Sequence, residues 1–294
     1  MNRIALEFVP PTVEGGVDRV KENAQKLREL SRSFGMEDRV NSLVIPGMID
    51  EDDDRPVPMQ PRMDPLDVWK AAAPELPGLQ GLCTQVTSFL DADQLQFRFQ
   101  NLLEAGIEGV VFVGVPRTMT DGDGDGVSPT DALARFQEQV PHRGVILIPT
   151  RADEIERFGF KCEQGATFAL TQLLFSDSIV RFLADFADRY PHRPEILLSF
   201  GYVPQVETRL KIIQWLIQDP GNPIAEKEQA FVRRLAEWNL KEKKPLLLDL
   251  YRRIVDGVRE RGFPLGVHFE TPYGFSKPAF DLFAEMLDYW APGD

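Results

Sequence analysis

Eight short β-rich runs alternate with helical patterns along the whole chain, and this alternation constrains the fold more than any other feature. The runs are Arg3–Phe8, Asn41–Pro46, Gly81–Ser88, Gly109–Gly114, Val145–Pro149, Phe168–Phe175, Glu195–Gly201 and Leu265–Glu270. Most are continuous apolar stretches, as expected of strands covered on both faces and therefore of a parallel sheet. Between them, Val17, Val20, Ala24, Leu27 and Leu30 recur at spacings of three and four, the period of a helix with one buried face. Leu246, Leu250, Ile254 and Val258 form a second such stripe, ended by Gly262 and Pro264, and Ile179–Ala187 a third, stopped by Pro191. Eight strands with helices between them in 294 residues predict an α/β fold, a single (β/α)8 TIM barrel over residues 1–294. A doubly wound sheet would want a Gly-rich phosphate turn after an early strand, and Val9-Pro10-Pro11 stands there instead.

Composition narrows the partners. The chain has 33 Lys+Arg against 46 Asp+Glu, a net charge of −13. Nucleic acid and anionic membrane both reward a basic footprint, so neither is expected as a partner. Two cysteines, Cys83 and Cys162, make neither a disulfide framework nor a metal knuckle. The opening MNRIALEFVPP lacks the apolar core of a signal peptide, and apolar runs stay far below the roughly 20 residues of a membrane span. A cytoplasmic protein is expected, working as a monomer or small oligomer. The segment 47–67 departs in composition, Pro-rich with EDDD at 51–54. Following the second strand, it is either a lid over the site or a solvated acidic loop.

In a barrel, side chains at the carboxyl ends of strands share one pocket. Position alone therefore selects Glu7, Gln85, Thr87, Arg117, Arg151, Gln172, Tyr202 and Glu270. Glu7 is the most informative, lying between Leu6 and Phe8 just before the Pro-Pro. A carboxyl in apolar surroundings resists ionisation and can act as a general acid; the plainer reading pairs it with an Arg on the barrel rim. Arg117 and Arg151 close consecutive strands and either clamp phosphates or form rim salt bridges. Tyr202 and Tyr273 follow strands seven and eight, where they either stack on a flat heterocycle or simply pack. Trp215 and Trp238 fall in helical patterns and read as packing.

Other patterns fail. DGDGDG at 121–126 opens like a calcium loop, but its twelfth position is Ala132 where a bidentate Glu belongs. The three histidines are far apart, so no metal site is expected, and His142 and His192 read as surface turns before strands. No Gly-x-Ser-x-Gly elbow occurs, and neither cysteine has an activating context.

The strand-end residues do resemble one family. ALEFVPP at 5–11 is similar to the FEF-x-PP opening of methylenetetrahydrofolate reductases, QGATFALTQLLFS at 164–176 to their AGA-x-x-x-x-TQ-x-FFD block, and GVHFETPYG at 266–274 to their HFYTLNR strand. The three matches keep the family's order over nearly the whole chain. The resemblance implies a TIM barrel of one-carbon metabolism, on the route to methionine, that reduces 5,10-methylenetetrahydrofolate to 5-methyltetrahydrofolate at the expense of a nicotinamide. It places the family's proton donor on Glu7 and the pterin-holding amide on Gln172, with Thr87, Tyr202, Glu270 and Tyr273 as further substrate-binding candidates.

The departures cluster on one side. The family's Arg-Gly-Asp triplet, which holds FAD after strand four, is here Val113-Gly114-Val115-Pro116-Arg117. After strand five stands a short Thr150-Arg151-Ala152-Asp153-Glu154, with Phe160-Lys161 in place of an Arg-Lys pair. The family's His before the third-strand Thr is Gln85, and the Arg ending HFYTLNR falls on Gly274. This resembles the flavin-independent branch, in which NADH reduces the folate directly and FAD is absent. Gln85, Gly114, Arg117, Thr150, Arg151 and Lys161 are then expected around the nicotinamide dinucleotide. The alternatives are a member holding FAD by unfamiliar contacts, a barrel that binds folate or nicotinamide without turnover, and a reductase of another heterocycle.

Overall fold

A computed structural model describes residues 2–49, 60–114 and 126–290. Eight parallel strands close into a barrel in sequence order: β1 Ile4–Glu7, β2 Ser42–Ile45, β3 Gln80–Val86, β4 Ile107–Val113, β5 His142–Leu147, β6 Phe168–Thr171, β7 Glu195–Gly201 and β8 Leu265–Glu270. Closure is direct, with Ala5 opposite both Ser42 and His268. The barrel and all eight strands agree with the sequence expectation. Two boundaries differ by more than two residues. β5 starts at His142 because that residue pairs with Gly109 of β4, so His142 is a strand residue and not a turn. β6 ends at Thr171, opposite Leu147 where β5 ends, and the apolar run on to Phe175 leaves the ladder.

Helices follow each strand: α1 Gly16–Ser33, α2 Pro65–Ala72, α3 Ala92–Glu104, α4 Pro129–Arg135, α5 Glu154–Glu163 and α6 Ser178–Arg189. Three helices, α7 Glu207–Leu216, α8 Pro223–Glu237 and α9 Leu240–Arg259, separate β7 from β8, and α10 Lys277–Trp290 closes the ring. Their ends are written locally. Asp64 caps α2 ahead of Pro65, and Asp91 with Gln94 forms a capping box on α3, which satisfies the amide groups that a helix start leaves open.

The strand period of two sorts side chains between two cores. Ala5, Val44, Leu82, Val111, Phe168, Leu170 and Leu197 fill the barrel interior. Leu6, Cys83, Val110, Leu147, Leu198 and Phe269 face the helices. Gly144 is forced by this packing, since a Cβ there would lie 2.4 Å from the Phe168 ring. The same alternation assigns the strand ends. Glu7 shares the parity of Ala5, and His268 and Glu270 oppose the outward Val267 and Phe269, so all three belong to the interior face. Gln85 and Thr87 share the parity of Cys83 and face outward.

Candidate active site

Glu7 ends β1 at the carboxyl mouth of the barrel, half-buried. Its Oε2 accepts the Thr271 amide N–H at 2.8 Å, and the Thr271 hydroxyl donates back to the Glu7 carbonyl at 3.1 Å. The rim salt bridge is not made: among the described residues no basic group pairs with this carboxyl, and its one strong donor is a neutral amide. Burial therefore dominates, and the carboxyl's pKa rises from 4.5 to about 7.

Its neighbours reinforce this. Glu270 ends β8, the strand beside β1, and burial together with the charge of Glu7 holds its pKa well above the carboxylate range. His268 Nδ1 lies 3.0 Å from the Ser199 hydroxyl and 3.6 Å from Glu270 Oε1. Burial pushes this imidazole down to about 3, so it is neutral and supplies no counter-charge. Two adjacent buried carboxyls without a nearby cation among the described residues are both pushed toward their protonated forms.

Glu7 opens into a cavity of about 240 Å³ with mainly apolar walls. Val86, Val113 and Gly114 come from the ends of β3 and β4, Gly47–Ile49 from the segment after β2, and Ile212, Trp215 and Leu216 from α7. Gly47 is held close, its N–H donating to Thr84 Oγ1 at 2.7 Å, and a Cβ there would meet the Thr84 carbonyl oxygen at 2.4 Å. Trp215, read as packing in the sequence, is a wall of this cavity. No sequence signal marked it, since α7 reaches the mouth only through the excursion between β7 and β8.

The remaining candidates divide. Gly114 joins Glu7. Gln172 lies in a neighbouring small cavity with Thr150, where its amide donates to the Leu216 carbonyl. Leu216 is thus a shared wall between the Gln172 and Glu7 sides. Tyr273 donates its hydroxyl to the backbone carbonyl of Tyr202. Tyr202 is buried under the ammonium of Lys243, 5.4 Å from its ring centroid, so it packs and leaves no open face for a heterocycle.

Several residues expected at a ligand are engaged elsewhere. Thr87 is fully buried on the outward face. Gln85 donates to the Val86 carbonyl and accepts from Arg98 Nε at 2.8 Å, and Arg98 in turn pairs with Asp64 at 2.8 Å. Arg151 and Lys161 both pair with Glu154, at 3.3 Å and 3.2 Å. That carboxylate is fully buried and also accepts the Ile148 amide N–H. Lys161 further donates to the Ile146 carbonyl at 2.8 Å. These two cations lock the β5–α5 connection instead of waiting for a phosphate. Arg117 lies outside the described residues, as do Asp121–Asp125 of the DGDGDG run and residues 50–59 of the acidic segment. Among the described residues no cluster of His, Cys, Asp and Glu could hold a metal ion, and no helix is long and apolar enough to cross a membrane.

Fold and site together define a closed (β/α)8 barrel with a buried carboxyl opening into a cavity at its carboxyl mouth. The family model described as mycobacterial methylenetetrahydrofolate reductase matches residues 1–294. The chain belongs to the methylenetetrahydrofolate reductase family, a family of oxidoreductases acting on folates. No curated protein matches it. Among solved structures it is similar to "QR15, an Aldolase", with 15% identity, 73% of this chain and 86% of that chain covered, and a TM-score of 0.41, a likeness too slight to argue from.

Proposed function

We propose that this protein reduces 5,10-methylenetetrahydrofolate to 5-methyltetrahydrofolate with NADH, by direct transfer and without flavin, and that Glu7 is the general acid. The observation that carries the reading is a carboxyl with a pKa of about 7 opening into an apolar cavity in a chain of this family. Glu7 protonates N10 of the folate, the five-membered ring opens, and an electrophilic iminium is left at N5. The reduced nicotinamide supplies the hydride that completes the methyl group. Trp215 and Gly114 are among the residues that wall the cavity into which Glu7 opens, where the planar rings of the reactants would meet. The Thr271 amide holds Glu7 aimed into this space and steadies the carboxylate formed when the proton leaves.

Flavin independence is supported by the commitments of the side chains. Gln85, Arg151 and Lys161, at positions where the resemblance puts flavin contacts, are bound to Arg98, Val86, Glu154 and Ile146. They fit neither a flavin nor the nicotinamide dinucleotide expected around them without losing those partners, so a nicotinamide has to be held by other residues, of which Gly114 lines the Glu7 cavity. The test is anaerobic NADH oxidation with methylenetetrahydrofolate by protein whose absorption spectrum shows no flavin. Substrate-dependent turnover is expected. Turnover only after FAD is added would restore the flavin, and no turnover in either condition would remove the reductase reading.

A further inference from the structure

Glu7 and Glu270 end neighbouring strands in register. Leu6 of β1 pairs with Phe269 of β8, so the next residue of each strand is one of the two carboxyls, on backbones about 4.8 Å apart. Both belong to the interior face, and Glu7 accepts the amide N–H of Thr271, the residue directly after Glu270. Glu7 lines the cavity and Glu270 does not, so Glu270 stands behind Glu7 and not against a ligand. No cation pairs with either carboxyl among the described residues. The charged or titratable groups on the elements around them are His268 on β8, Tyr202 after β7 and Tyr273 after β8, with Lys243 and Arg209 lying over the two tyrosine rings. The imidazole is neutral, and the two cations face the rings.

A buried polar chain holds Glu270 from the other side. Its Oε1 lies 3.6 Å from His268 Nδ1, which is 3.0 Å from the Ser199 hydroxyl, and that hydroxyl also bonds Glu270. The Ser199 amide N–H is spent on Thr171 Oγ1 at 2.8 Å. His268 Nε2 is buried with no partner among the described residues, so the contact at Nδ1 sets the tautomer. With the proton on Nδ1, the imidazole donates to Ser199 Oγ and the serine O–H is left to donate to Glu270. With it on Nε2, an N–H would be buried unpaired and Ser199 would donate to the ring, leaving Glu270 without a donor. The first arrangement occupies one Glu270 oxygen and leaves an acid O–H on the other free for Glu7.

We propose that Glu7 and Glu270 work as one acid: Glu270 keeps its proton throughout and donates it in a hydrogen bond to the carboxylate left on Glu7 when Glu7 protonates its ligand. That the proton goes to a folate rests on the reductase reading; the pair rests on the strand register and the Ser199–His268 chain. The Glu7 O–H bond breaks, its proton passes to the ligand nitrogen, and the new carboxylate accepts from Glu270 O–H and from Thr271 N–H. Glu7 takes a proton back from water when the product leaves. Adjacent carboxyls without a cation do not both ionise near neutrality, and burial together with charge on Glu7 keeps the last proton on Glu270. Glu270 is thus a positioning residue that acts through Glu7. Without it, Glu7 would leave its charge in a mainly apolar cavity with one neutral amide for support.

Carboxyl ¹³C NMR of the full chain reads the pair without turnover, with the two signals assigned by their loss in Glu7→Gln and Glu270→Gln. Between pH 5.5 and 8.5 Glu7 is expected to titrate near 7 while Glu270 stays protonated. Glu270→Met, close in shape but without a donor, should raise the Glu7 midpoint by about one unit or more, because a hydrogen bond to a charged group is worth roughly 10–100-fold. The same variant should lower kcat/KM at pH 6 by about 10–100-fold. Glu270→Gln, whose amide N–H replaces the acid O–H, should recover most of that loss and bring the midpoint back to within about half a unit of the wild type. An unmoved Glu7 midpoint in Glu270→Met overturns the pair even if the protein turns over substrate. Ionisation of Glu270 before Glu7 in the wild type also overturns it, and decides the question should Glu270→Met fail to fold. The expected titrations in a protein that oxidises no NADH with methylenetetrahydrofolate keep the pair and remove the reductase reading instead.

Discussion

Glu7→Gln separates a proton donor from a structural carboxyl. The amide is nearly isosteric, and its carbonyl oxygen can accept the Thr271 N–H as Oε2 does now, so the β1–β8 contact is retained and folding is expected to survive. What is lost is the transferable proton, and a positioned general acid contributes roughly 10²–10⁴-fold to rate. The structure also fixes the pH dependence. With a pKa raised to about 7, Glu7 is about nine-tenths protonated one unit below that value and about one-tenth one unit above it. The acid form is the active one, so wild-type kcat/KM, which reports the free enzyme, should be level at low pH and fall through neutrality, about tenfold between pH 6 and pH 8. Stability moves in the same direction, because a carboxyl whose pKa is raised on folding stabilises most below its unfolded value and loses that advantage as pH rises through 7. The assay is anaerobic NADH oxidation across a range of methylenetetrahydrofolate concentrations from pH 5.5 to 8.5, giving kcat and kcat/KM, with circular dichroism to follow folding. Near-normal kcat in the amide variant, or a wild-type profile that rises with pH, would refute the assignment.

Other positions give independent tests. Gly47→Ala brings a Cβ to 2.4 Å from the Thr84 carbonyl oxygen; urea denaturation should show a loss of about 1–3 kcal/mol, as for overpacking, and an unchanged midpoint would mean that the β2 mouth is slack. Glu154→Ala strands the largely buried Lys161 ammonium beside Arg151, which should cost about 3–5 kcal/mol of stability; a loss under about 1 kcal/mol would show the lock to be unimportant. The neutral His268, with its pKa pushed down to about 3, should show constant ¹⁵N ring shifts from pH 5 to 8, and a titration near 6.5 would overturn the account of the Glu7–Glu270 pair. Cys83 and Cys162, both pushed up to about 12 by burial, should react only slowly with a thiol reagent at pH 8 in the folded protein; rapid labelling of both would show that their burial is breached.

Parts of the site were legible in one dimension. Glu7 stands out because a carboxyl inside an apolar strand has few ways to be solvated, and the Pro-Pro after it marks the strand's end. Alternation ties Gln85 and Thr87 to the face of Cys83, but Leu82 and Cys83 are both apolar, so only the structure decided that this face is the outward one and not the pocket expected for both residues. Glu154 could have been matched to Arg151 and Lys161, which lie three before and seven after it. The spacing alone did not show that the carboxylate is buried.

The sequence by itself determined the eight strands, their parallel class and the carboxyl that ends β1 as a candidate, because burial on both faces and the isolation of a charge are written within a few neighbouring positions. Only the tertiary structure decided that α7 supplies Trp215 and Leu216 to the Glu7 cavity. It alone decided that Gln172 opens on the far side of that wall, and that Arg19, Lys26, Arg62 and Arg209 converge on one groove with no acidic lining among the described residues. Those placements depend on where closure of the barrel carries segments up to 190 residues apart, and local periodicity holds no record of that distance.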